Sequence, residues 1–306
     1  MESYRTAEEM KSNYEDALIY NGEGKIEGDA VTETAFMTAR QFAELTHGSF
    51  AQRFYQALLE KTNRVDNPPQ LIDTPHFMEL REQSSRVVLK DLVEKEGVTQ
   101  IVELGAGFCS TSVDFLTSQD GLKVNKYIEN DFEGKVLDVK QQIVNETLGG
   151  IPLSFIPGNV LDQSFWDKVE QNLSEGEHTA IFCQGLLQYL SKEQLGQLLG
   201  YAKTILASRG GVFFHEDILK YHPELREDPS FTFITQSLKR ITDKKALDEL
   251  MTQEEATQFY ESEGFEVSRV PEQAKFSMDL YSENARKGAE ELTKANLKMW
   301  LLRPKS

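Results

Sequence analysis

Between Ile101 and Ser110 the chain reads Ile-Val-Glu-Leu-Gly-Ala-Gly-Phe-Cys-Ser, an apolar run that ends in two glycines one residue apart. Ile101, Val102 and Leu104 have the make-up of a buried parallel strand. Gly105 and Gly107 then allow a tight turn whose bare backbone can come close to a ligand. A second strand-like run, Lys126-Tyr-Ile-Glu129-Asn-Asp131, ends in acids, with Glu129 24 positions and Asp131 26 positions after Gly105. That is near the offset of roughly 20 residues at which a nucleotide-binding unit sets a carboxylate on ribose hydroxyls. A dinucleotide would rest its pyrophosphate on such a turn, whereas S-adenosylmethionine has no phosphate and needs room for its methionine part. Glu103 opens a Glu-x-Gly-x-Gly sequence, and Ser110 stands where a dinucleotide fingerprint has its third glycine. Both details favour S-adenosylmethionine.

The elements around this turn must hold it at the edge of a sheet. Helical patterning over residues 75–96, carrying Phe77, Leu80, Val87, Val88, Leu89 and Leu92, leads into the first strand. Downstream, strands are expected at 151–156, 179–183 and 211–215, alternating with helices at 162–172 and 190–206. This alternation predicts an α/β fold with a doubly wound parallel sheet. A helix at 252–263 precedes a strand at 264–270, and a last strand is expected at 297–302. Upstream, Thr32 or Thr34 can cap a helix bearing Ala35, Phe36, Ala39, Phe42 and Ala43, and Phe50, Phe54, Ala57 and Leu58 suggest another before the break at Asn67-Pro-Pro69. Residues 1–96 therefore read as a polar extension plus a helical cap, and 97–306 as the ligand-binding domain with an insertion at about 222–248.

The 306 residues are 39% hydrophobic, enough for a sizeable core, and carry a net charge of −17, which repels a phosphate backbone and argues against nucleic acid as a partner. No apolar run approaches the length of a membrane span, and the start lacks the pattern of a signal peptide, so a cytoplasmic protein without membrane association is expected. Cys109 and Cys183, the two cysteines present, have no metal-ligand spacing and are expected to be reduced and partly buried. No metal site is expected, and oligomeric state is not legible.

Taken in order, several segments resemble the leucine carboxyl methyltransferase family and related small-molecule O-methyltransferases. They are Thr34-Ala-Phe-Met-Thr-Ala-Arg40, Arg81, Glu103-Leu-Gly-Ala-Gly107, Tyr127-Ile-Glu-Asn-Asp-Phe132 and Gln184-Gly-Leu-Leu-Gln-Tyr-Leu190. The resemblance implies a class I methyltransferase Rossmann-like sheet capped by an antiparallel C-terminal hairpin of the last two strands, an N-terminal helical cap and S-adenosylmethionine as cofactor. It implies that Arg81 pairs with the cofactor carboxylate, a task suited to a planar guanidinium. It further implies that Glu103, Gly105 and Gly107 form the turn beside the methionine part, that Asp131 or Glu129 holds the ribose, and that Asn159 and Val160 bracket adenine. Gln184 stands where the family has a glutamate, and an amide cannot neutralise an ammonium. Phe108-Cys-Ser-Thr111 replaces an aspartate-containing run common in the family.

Methyl transfer from a sulfonium is an in-line displacement of an already activated group, so the protein must align the nucleophile, exclude water and remove a proton if the acceptor has one. A carboxylate, of a small molecule or of a peptide C-terminus, needs no base. A hydroxyl does, and His215, Glu216 and Asp217 at the exit of the fifth strand are the candidates by position. Tyr189, after the fourth strand, is placed to orient an acceptor. The alternatives are a nicotinamide-dependent oxidoreductase and a catalytically silent cofactor-binding protein.

Overall fold

A computed structural model describes residues 36, 39, 40, 43, 50–62, 75–132, 134–216, 251–271 and 298–305. Seven strands, β1 (Val98–Leu104), β2 (Lys126–Glu129), β3 (Leu153–Phe155), β4 (His178–Cys183), β5 (Gly211–Glu216), β6 (Phe265–Pro271) and β7 (Lys298–Pro304), form one sheet in the order β3-β2-β1-β4-β5-β7-β6. The first five run parallel, and β7 is antiparallel to both β5 and β6. Among the described residues from 50 onward, the α-helices are α1 (Phe50–Thr62), α2 (Pro75–Lys95), α3 (Thr111–Leu116), α4 (Gly134–Leu148), α5 (Gln163–Asn172), α6 (Lys192–Arg209) and α7 (Gln253–Ser262). The doubly wound sheet and its C-terminal hairpin match the expectation from sequence.

Side chains alternate between the two faces of each strand. Val102, Leu104, Ile181, Cys183 and Phe213 enter one apolar cluster with Phe165 and Val169 of α5, Leu198 and Ala202 of α6 and Tyr260 of α7. Ile101, Tyr127, Phe182 and Phe214 point the other way, into a cluster with Val88, Leu89, Leu92 and Val93 of α2. Helix α2 lies along β1 and β5, so the N-terminal extension and the sheet share a core across the expected boundary at 96/97.

The sequence pattern does not predict α3 or α4. With 6 residues, α3 is too short to show a period. In α4 the buried positions Val136, Leu137, Ile143 and Val144 have helical spacing, but the same face carries a buried lysine, Lys140, which blurs it. Helix α6 begins later than predicted because Ser191 and Gln194 form a reciprocal capping box, which sets the first turn at Lys192. Asp217, the 222–248 insertion, Asn67-Pro-Pro69 and most of the expected first cap helix lie outside the described residues; of that helix, Phe36, Ala39, Arg40 and Ala43 are described and are helical.

The cap residues rest on the glycine turn. Phe108, just past Gly107, meets Phe36 edge-on with ring centroids 5.0 Å apart and Phe54 at 6.3 Å. The same cluster takes in Val113 of α3 and Val136 and Ile143 of α4. Phe108 is 2% exposed, so Phe108→Ala should destabilise the protein by about 3–5 kcal/mol, the usual cost of emptying a buried aromatic site. Urea unfolding measures this; a loss below about 1 kcal/mol would show that the cap is anchored elsewhere.

Candidate active site

The sheet order reverses between β1 and β4, and in open α/β sheets the crevice at such a switch point, beyond the carboxyl ends of the strands, is where ligands bind. Strand β1 exits into the glycine turn, where Gly105 (φ 64°) and Gly107 (φ 52°) occupy the left-handed region that favours glycine. The turn is pinned to the exit of β2. Ala106 N–H donates to the Asn130 carbonyl (2.8 Å), and Gly107 N–H donates to Asp131 Oδ2 (2.9 Å). Asn130 Nδ2 donates in turn to the carbonyls of Ile156 (3.1 Å) and Gly158 (2.9 Å), beyond β3. A side chain at Gly105 would meet Leu186, 3.3 Å from the position of its Cβ.

Beneath the turn lies a layer of buried charge. Glu103 and Glu129 are register partners on β1 and β2 and are at most 1% exposed. The Tyr127 hydroxyl donates to Glu103 Oε2 (2.7 Å). Burial, followed by the charge of Glu129, pushes the Glu103 carboxyl up to about 8. Glu129 accepts from the Ser112 hydroxyl and forms an ion pair with Lys140 Nζ (2.6 Å). Burial works against the Lys140 ammonium, but the charges of Glu129 and then Glu103 outweigh it and hold the lysine above its ordinary pKa. Lys140 Nζ also lies 3.5 Å from the Gly107 carbonyl oxygen. Of the sequence's candidate cofactor ligands, Glu103 and Glu129 have their carboxylates buried under the turn, with Glu129 engaged by Lys140 and Ser112, while Asp131 stands at the turn itself. The signal for Lys140 was available: a lysine on the apolar side of a helix whose neighbours are Val136, Leu137, Ile143 and Val144.

At the exits of β4 and β5 a second group converges. Gln184 is 7% exposed; its Nε2 is 3.4 Å from Thr111 Oγ1, and its Oε1 is buried without a hydrogen-bond partner. Gly185 (φ 72°) donates its N–H to the Glu216 carboxylate. The Arg81 guanidinium, arriving from α2, lies 2.8 Å from where a Cβ on residue 185 would stand, and Arg81 Nε is buried without a partner. Tyr189, in a short 3₁₀ turn over Leu187–Tyr189, is half-buried. Burial raises its phenol pKa against the opposing effect of a hydrogen bond with Gln188, while Arg81 and Glu216 act on it with opposite sign. Asn159 Oδ1 accepts from Leu161 N–H (3.0 Å), and the Val160 carbonyl accepts from the Trp166 indole (2.8 Å), so both belong to an ordered turn after β3.

His215 is a correction. It falls on the opposite face of β5 from Glu216 and is completely buried under α7. Its Nδ1 is 2.6 Å from the Glu216 carbonyl oxygen, which can only accept, so Nδ1 carries the proton and Nε2 accepts from Tyr260 OH (2.9 Å). The ring also stacks against Trp300. With both nitrogens committed in the core, His215 cannot act as a base toward an acceptor. Cys109 and Cys183 are buried free thiols; burial pushes Cys109 up to about 12 and Cys183 well above its ordinary value, so neither is a thiolate at neutral pH.

The sequence profile of the leucine carboxyl methyltransferase family matches residues 31–203, more than half of the chain. The chain belongs to that family. Its cofactor is S-adenosylmethionine, and it is a methyltransferase. A search of curated proteins gave no match for this family member. Among solved structures, it is similar to a candidate methyltransferase from Thermobifida fusca YX, with 12% identity and a TM-score of 0.58 over 92% of this chain and 100% of that one. A DUF574 family protein from Streptomyces avermitilis MA-4680 aligns with 16% identity and a TM-score of 0.54 over 90% and 100% of the two chains. The CurJ carbon methyltransferase aligns with 14% identity and a TM-score of 0.51 over 100% and 72%. These structures share the fold of this methyltransferase. The nicotinamide-dependent and silent-binder alternatives gain no support from them. Among the described residues, no helix is long and apolar enough to cross a membrane.

The buried acids give the methyltransferase a stability that depends on pH. Glu103 is held at about 8 against an ordinary 4.5, facing Tyr127, Glu129, Lys140 and Glu82. As pH rises through 4.5 the unfolded chain loses this proton while the folded chain keeps it to about 8, so stability falls across that window and levels off above it. Glu82, raised to about 7 chiefly by burial, adds to the lower part of the same slope. Glu103→Gln should flatten the decline in urea midpoint between about pH 5 and 8. An unchanged slope would mean that Glu103 is ionised in the folded protein.

Proposed function

We propose that this methyltransferase is an O-methyltransferase that esterifies a carboxylate, carried by a small metabolite or by a protein C-terminus. The observation that supports its cofactor geometry is a buried donor without a partner, Arg81 Nε, on a guanidinium that lies against Gly185, together with a buried acceptor without a partner, Oε1 of the preceding Gln184. An unpaired buried polar atom costs about 1–3 kcal/mol, so two at one strand exit suit a ligand that supplies an acceptor and a donor together. The amino-acid end of S-adenosylmethionine does so. Arg81 would hold its carboxylate, Gly105 and Gly107 would give backbone clearance beside the methionine part, Asp131 would hold the ribose, and Asn159 and Val160 would flank adenine.

When bound, the cofactor supplies an activated methyl group on a sulfonium. The chain's own residues must then orient the acceptor and keep water away. Tyr189, kept protonated by its burial, would donate a hydrogen bond to an acceptor oxygen. Leu186 and the apolar cap residues around Phe108 would exclude water. The choice of a carboxylate is favoured by the loss of His215 as a base, because an ionised carboxylate is already a nucleophile and no proton has to be removed. A cytoplasmic setting belongs to the same proposal, in keeping with two unpaired buried cysteines.

Esters and ethers differ in their lability to base. With labelled S-adenosylmethionine and small-molecule and peptide pools as acceptors, mild alkali should release the transferred label from the product as volatile methanol. A product that keeps its label through alkali would overturn ester formation and move the acceptor to a hydroxyl, nitrogen or carbon.

A further inference from the structure

The amino-acid end of S-adenosylmethionine is a zwitterion, and an ammonium taken out of water needs an anionic partner as well as neutral acceptors. Gln184 offers an oxygen and no charge. The charge is available one strand away. Strands β4 and β5 pair in parallel with Cys183 opposite His215, so the next positions, Gln184 and Glu216, stand side by side where the strands leave the sheet. Both continue the face that Phe182 and Phe214 share with α2, the helix that carries Arg81. Glu216 is 6% exposed, and its carboxylate is fixed at the crevice by the N–H of Gly185. The Arg81 guanidinium approaches the same glycine from α2. A cation and an anion from different elements thus flank one residue at the crevice. Their fields also overlap on Cys183 and Tyr189, where Glu216 and Arg81 act with opposite sign.

We propose that Glu216 is the anionic partner of the cofactor's ammonium, so that the charge absent from Gln184 is supplied by the neighbouring strand. Arg81 and Glu216 then form a matched pair for the zwitterion, with the Gln184 amide oxygen as a neutral second acceptor. The assignment rests on Arg81 as the carboxylate partner and explains why an amide is tolerated at position 184.

Isothermal titration with adenosylhomocysteine and with its analogue lacking the α-amino group separates this role from a purely structural one. In the unaltered protein, binding of adenosylhomocysteine tests the cofactor site itself, independently of Glu216. Glu216→Gln should weaken adenosylhomocysteine by about 10- to 100-fold, the range for a charge-assisted hydrogen bond, and the deamino analogue by less than about threefold. Adding Gln184→Glu to Glu216→Gln should restore most of the lost affinity for adenosylhomocysteine alone, because the charge returns to the same edge of the crevice. If Glu216→Gln does not fold, Glu216→Asp, which withdraws the carboxylate by one methylene, should still weaken adenosylhomocysteine more than the analogue. Equal losses for the two ligands, or no loss for either, would show that Glu216 only secures Gly185 and would overturn the proposal.

Discussion

Two carboxylates buried side by side under a glycine turn are the constraint on which this structure depends. Glu103 and Glu129 are register partners on adjacent parallel strands in a layer without solvent, where two negative charges cannot stand together. The fold resolves this in two ways. Lys140 is brought in from α4 to neutralise Glu129, with the Ser112 hydroxyl completing its contacts, and Glu103 keeps its proton well above the ordinary range beside Tyr127. This sets the position of α3 and α4 against the sheet, because Ser112 and Lys140 must both reach the same carboxylate. Removing one member of a buried ion pair commonly costs about 3–5 kcal/mol, more than most surface contacts contribute together.

The crevice stands on that layer. The turn made by Gly105 and Gly107 is held from beneath by the buried ion pair and from the side by Asn130 and Asp131. Phe108 carries the cap onto it. A rigid support of this kind suits a reaction in which the protein contributes chiefly alignment and exclusion of water.

Much of the fold was legible because it is written in strong periodic signals. The parallel strands are continuous apolar runs, the helices after β3 and β4 have clear spacing, and Gly105 and Gly107 do mark the turn at the switch point. The residues whose surroundings are not legible in the sequence share one cause. Position along the chain placed Glu103, Glu129 and His215 near strand exits, but the direction in which each side chain points follows from strand pairing and from what covers each face. His215 shares a face with Phe213 and goes under α7, while its neighbour Glu216 points to the α2 side and reaches the crevice. The pairing of Glu129 with Lys140 is not legible from the place of Glu129 at the end of β2, because the helix that delivers Lys140 is obscured by the lysine itself.

Calorimetric titration of Gly105→Val with adenosylhomocysteine tests most directly whether the backbone of this glycine turn is the binding surface for S-adenosylmethionine. Valine would have to adopt a φ of 64° and would place its Cβ 3.3 Å from Leu186, in a turn whose supporting layer is untouched. The unaltered protein should bind one equivalent, and the variant, with the circular dichroism of the folded chain, should show no binding. A folded Gly105→Val protein that binds adenosylhomocysteine with undiminished affinity would contradict the account.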